Sequence, residues 1–304
     1  MQIGVILIHG IGRERREWAD DTIRRLRALT HERVRTLLPG RAVPPPDDLL
    51  IVASAYWKDI LHERQAAFKR ILDTAHGQLR LRGARWRKLL GWLEWLVRYF
   101  ERIFVSEFVS DIIGYQHPET RTAVHAAIGR TLKEMAQQLP PDTGKVPLTV
   151  IAHSLGTVIT SDYIWDQTKQ RGAGRGFHDR WMLENLFTVG SPMALFSLRF
   201  GGPEAFSKPI VMETARGRWM NLFDRDDPVG MPLKPLNEAY DRAVFKDVDV
   251  QAGFYLWSHL RYFTHSKVLE LISHKLALDW IASNTQLSGE QLAALDTAYE
   301  RALA

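Results

Sequence analysis

A chain of 304 residues, 45% of them hydrophobic, can bury one large α/β core with an insertion, or two smaller cores. It contains no cysteine, which excludes disulfides, thiolate metal sites and a cysteine nucleophile, and suits a cytoplasmic protein. The net charge of +5 reflects Arg and Lys concentrated in Arg13–Arg41 and Arg64–Arg102. No zinc-finger spacing, RNA-recognition signature or phosphate-loop motif accompanies them, so they read as solvated helix faces and no nucleic-acid partner is expected.

Gln2–Ile8 is a continuous apolar run and reads as a buried first strand, without the basic leader or cleavage site of a signal peptide. His9-Gly10-Ile11-Gly12 follows as a turn. Asp20–Leu38 has apolar residues at helical spacing and stops at Pro39-Gly40. The second strand is predicted at Leu49–Tyr56. A helix opens at Pro118 and runs to Gln138. The third strand is Val146–Ala152, followed by a helix through Thr157–Gln170. Further strands are predicted at Leu183–Val189, Trp219–Phe223 and Phe245–Val250. Ser266–Ser283 is a helix, and Ser288 with Gln291 forms a capping box for a last helix to Ala302. Strands alternating with helices predict an α/β fold: a mostly parallel central sheet with helices on both faces, in a single domain spanning 1–304.

Residues 58–115 break the alternation. They hold no strand-like run, and Leu89, Trp92, Leu93, Leu96, Phe100, Ile103 and Phe104 recur at helical spacing with charges between them. This reads as a helical insertion that packs on the main domain, acts as a lid, or docks peripherally on a membrane or lipid interface through 86–108. Interrupting charges argue against a transmembrane span.

The chemistry is concentrated in Val146–Thr157, VPLTVIAHSLGT. An apolar strand, a tight turn and a helix place Ser154 at the apex of Ala152-His153-Ser154-Leu155-Gly156. This is a nucleophile-elbow pattern with Ala in place of the first Gly, and Ala is still small enough for strand and helix to approach closely. An oxyanion hole needs two backbone N–H donors. The amide of Leu155, at the start of the helix, is one candidate. The amide of Ile11, in the His-Gly loop after the first strand, is the other, with His9 as a buried histidine shaping that loop.

These features resemble the α/β-hydrolase superfamily, in particular its lipase- and esterase-like members. The resemblance implies a triad in the order Ser, Asp, His, with acid and base each after a later strand. For the acid, Asp227-Pro228-Val229 is the better match to the acid loop, and Asp224, nearer the strand end, is the rival. For the base, His259 is followed three residues on by Tyr262-Phe263, an arrangement common in lipase-like hydrolases, whereas His265 lacks it. Gly190-Ser191-Pro192 resembles the turn after the fourth strand. Ser191 there reads as structural, with Met193, Leu195 and Phe196 lining a substrate pocket. No His/Asp cluster has metal-ligand spacing, so neither metal nor organic cofactor is expected.

The expected activity is hydrolysis of a small-molecule or lipid ester through an acyl-enzyme on Ser154. The alternative is the same scaffold used for binding, or as a membrane-associated module, without turnover.

Overall fold

The computed structural model describes residues 1–10, 17–60, 110–172, 174–253 and 256–303. The oxyanion-loop candidate Ile11, the aromatic helix within 86–108 and most of the 58–115 insertion lie outside the described residues.

In chain order the elements are β1 (Ile3–Ile8), α1 (Asp20–Leu37), β2 (Leu50–Ala55), α2 (Pro118–Ala136), β3 (Val146–His153) and α3 (Leu155–Arg171). Then come β4 (Trp181–Val189), the single turn α4 (Met193–Phe196), β5 (Arg218–Phe223), α5 (Glu238–Ala243), β6 (Lys246–Asp249), α6 (Leu256–Arg261), α7 (Ser266–Asn284) and α8 (Gly289–Ala302). The uninterrupted apolar runs become strands because a parallel sheet covered by helices removes both faces from water. All six residues of β1 are buried. The helix after Ser154 begins at Leu155, directly after the elbow, as the sequence predicts. Two six-residue helices, α5 and α6, have no counterpart in the sequence reading. They are too short to show a helical period, and tertiary contacts rather than propensity hold elements of that length. The capping box of α8 forms as the pattern predicts: Ser288 Oγ accepts from the Gln291 amide and Gln291 Oε1 accepts from the Ser288 amide.

The six strands form one sheet in the order β2-β1-β3-β4-β5-β6, and every neighbouring pair is parallel. Ile3, Val5 and Leu7 of β1 share a core with Leu26 and Val34 of α1 and with Val268, Leu269, Ile272 and Leu276 of α7. Gly4, between Ile3 and Val5, turns to the opposite face, where a Cβ would run into the Trp181 ring. The Trp181 indole N–H in turn donates to the carbonyl of Leu132 in α2 (2.9 Å), so helices cover both faces.

By contact density the chain divides into two compact units. One carries the sheet (Met1–Gly10, Arg15–Ala55 and Gly129–Ala304), and the other comprises Ile11–Glu14 and Tyr56–Ile128. In the sheet, β1 lies between β2 on one side and β3 on the other. The strand order therefore reverses between β1 and β3, and the crevice at the carboxyl ends of strands at such a switch point is where open α/β sheets place ligands. Gly10 follows β1 and Ser154 follows β3 at that point.

Candidate active site

Ser154 joins β3 to α3 with φ 53° and ψ −130°. Among the described residues only Ser154 and Gln251 combine a side chain with positive φ. Such backbone is costly unless its surroundings over-determine it, and several bonds do so here. The Ser154 amide donates to the Val189 carbonyl at the end of β4 (2.9 Å). Thr157 Oγ1 donates to the Ser154 carbonyl (2.7 Å) and stands 2.8 Å from Ser191 Oγ. With the Thr157 proton committed, Ser191 donates to Thr157 Oγ1, and the amide of Met193 donates to Ser191 Oγ (3.3 Å). Ser191 is fully buried and ties the turn after β4 to the elbow.

Two glycines let β1 approach this turn. A Cβ on Gly10 would lie 2.4 Å from Ser154 Cβ, and one on Gly156 would lie 2.4 Å from the His9 carbonyl oxygen. Either side chain would push the first strand away from the serine. His9 is buried, its Nδ1–H donates to the Gly10 carbonyl (2.9 Å), and its ring packs edge-on against Trp18. Leu155 opens α3, so its N–H has no acceptor inside the helix and sits at the positive end of the dipole.

The structure brings three of the predicted residues into one hydrogen-bonded line. His259 Nε2 lies 2.8 Å from Ser154 Oγ, and His259 Nδ1 lies 2.8 Å from Asp227 Oδ2. A carboxylate only accepts, so Nδ1 carries the proton and the Nε2 lone pair faces the serine hydroxyl. All three residues are buried. Asp224 stands apart from the imidazole: its Oδ1 accepts from the Asp226 amide (2.8 Å) and its Oδ2 from the Gly253 amide (3.0 Å). It closes the turn after β5 and fastens the segment leading to α6. Of the predicted pocket residues, Met193 and Phe196 are buried and Leu195 is exposed.

Asp227 Oδ2 also accepts from the Tyr262 hydroxyl (2.9 Å), and Oδ1 accepts from the Val229 amide (2.8 Å). Burial is the largest single influence on Asp227 and pushes its carboxyl up. The His259 hydrogen bond and charge, with the Val229 and Gly230 amides, outweigh it and hold the group below the usual carboxylate range. Burial, with the charge and hydrogen bond of Asp227, pushes the Tyr262 phenol well up, so it remains a donor. In the sequence Tyr262 marks His259 but has no role of its own. Its spacing, one turn of chain after His259, is the signal that places it beside the same carboxylate. His153 has no such signal: its Nε2 lies 2.8 Å from the backbone carbonyl of His259.

No protein-family model matches the chain, and no curated protein is significantly similar to it. Among the described residues, no group of three or more His, Cys, Asp or Glu side chains could hold a metal ion. No described helix is long and apolar enough to cross a membrane.

Proposed function

We propose that this chain is a serine hydrolase of the α/β-hydrolase type that cleaves carboxylic esters of small molecules or lipids. The observation that carries the reading is the line Ser154 Oγ, His259 Nε2, His259 Nδ1, Asp227 Oδ2, with both gaps at 2.8 Å and the imidazole in the tautomer a general base requires. The switch-point location and the strained turn beneath Ser154 support it further.

In this mechanism His259 takes the Ser154 proton as the oxygen attacks the ester carbonyl. Asp227 holds the imidazole and offsets the charge that forms on it. The Leu155 amide, at the start of α3, stabilises the oxyanion. Collapse of the tetrahedral adduct releases the alcohol, protonated by His259, and leaves an acyl-serine. Water deprotonated by His259 then releases the acid and restores the hydroxyl.

The test is labelling by a fluorophosphonate probe together with hydrolysis of p-nitrophenyl esters of increasing acyl length. Wild type should label, and Ser154→Ala should neither label nor turn over, with kcat at least ~10³-fold lower. A wild-type protein that does not label, or a Ser154→Ala protein with near-normal turnover, would sink the reading and leave a scaffold that binds without catalysis.

A further inference from the structure

We propose that His153, the residue before the serine, is a positioning residue that holds the main chain of the base in register with the nucleophile. The proposal rests on the catalytic reading of Ser154 and His259. His259 sits in α6, a helix of six residues. A helix that short has little stability of its own. The His153 ring donates to the carbonyl of His259 at 2.8 Å, a tertiary bond on the main chain of the base itself.

The other end of this bond is anchored in the sheet. His153 is the last residue of β3, in register with Val189 of β4, and its neighbour Ser154 donates its amide to the same Val189. One hydrogen bond therefore joins the central strands to the short helix that carries the base, across 106 positions of sequence. Ring contacts extend the hold. The His153 ring centroid lies 4.9 Å from that of His259, 5.7 Å from Tyr262 and 5.4 Å from Phe263. The side chain thus touches the base, the residue that shares its carboxylate, and the next residue along.

A neutral donor is what this position requires. A carbonyl only accepts, so His153 is protonated on Nε2. Burial, reinforced by repulsion from His259, pushes its ionisation down to about 3, so no second positive charge forms beside the imidazolium of the catalytic cycle. A lysine or arginine could reach the same carbonyl but would oppose that charge.

The test compares His153→Gln, His153→Phe and His153→Asn. Glutamine places an amide N–H where Nε2 stood, phenylalanine keeps the ring without the donor, and asparagine keeps an amide too short to reach. The readouts are kcat and KM for p-nitrophenyl acetate and the rate of fluorophosphonate labelling, at a temperature where circular dichroism shows each variant folded. Displacement of a catalytic group by about 1 Å costs on the order of 10²-fold. The Phe and Asn variants should therefore lose ~10–100-fold in kcat and labelling rate with KM little changed, and Gln should stay within ~3-fold of wild type. If the Phe variant does not fold, the Asn–Gln pair makes the comparison. Equal activity in all variants, or equal loss in all of them, overturns the proposal. Failure of wild type to label overturns the catalytic reading instead.

Discussion

Asp227→Asn separates the two carboxylates after β5. Asp227 offers two oxygens to donors on opposite sides: His259 Nδ1 and the Tyr262 hydroxyl at Oδ2, and the Val229 amide at Oδ1. Asparagine must replace one oxygen with an NH2 group. Turned toward Val229, that group would face a backbone N–H that cannot become an acceptor. Turned toward the Oδ2 side, it faces two groups that can: the tyrosine hydroxyl rotates, and the imidazole moves its proton to Nε2. The second orientation opposes neither the imidazole nor the tyrosine hydroxyl, so the variant should fold. It also places a proton on the nitrogen that must accept one from Ser154, so kcat should fall by ~10³–10⁴-fold. Asp224→Asn leaves the imidazole untouched and disturbs only the Asp226 and Gly253 amides, a stability cost of about 1–3 kcal/mol for an unsatisfied group. The assay is kcat/KM for a p-nitrophenyl ester, with chemical denaturation run alongside. Activity within about tenfold of wild type in Asp227→Asn, or an equal loss in Asp224→Asn, would refute this account of the acid.

Two further predictions concern stability. The ordinary histidine value is 6.5, whereas His153 in the fold ionises only at about 3. The unfolded chain therefore binds this proton first, and stability present above ~6.5 is lost as pH falls, by up to about 1.4 kcal/mol per pH unit for this group. Denaturant midpoints measured from about pH 7 to about pH 4 should fall less steeply in His153→Gln, and identical slopes would contradict the assignment. Lys275 and Asp279 form a buried ion pair on α7, and Asp279 Oδ2 also accepts from Asn185 Nδ2 (2.7 Å). Lys275→Met leaves that carboxylate without its cation and should cost about 3–5 kcal/mol by urea denaturation, with much of the loss recovered in Lys275→Met/Asp279→Leu. A single variant as stable as wild type would show that the pair contributes nothing.

Much of the secondary structure was legible in the sequence. A strand buried on both faces, such as β1, is an unbroken apolar run wherever it sits, and all six strands lie within two residues of their predicted ends. The elbow was legible for the same reason: a strand, a small turn residue, a serine and a glycine-bearing helix start are consecutive. The helices α5 and α6 were not, because six residues contain fewer than two helical turns.

By itself, then, the sequence determined which segments are strands, where the strained turn falls, and which residue types stand near it. The tertiary structure decided which aspartate faces the imidazole, and that Tyr262 and His153 join the cluster. Local periodicity reports one segment's environment, whereas a hydrogen bond between residues 32, 35 or 106 positions apart depends on the order in which strands enter the sheet. The reversal between β1 and β3 brings the serine turn to the crevice, and the ends of β5 and β6 carry acid and base toward it. Asp224 and Asp227 are near neighbours in the chain. One faces backbone amides and the other faces His259, because the turn between them reverses its direction.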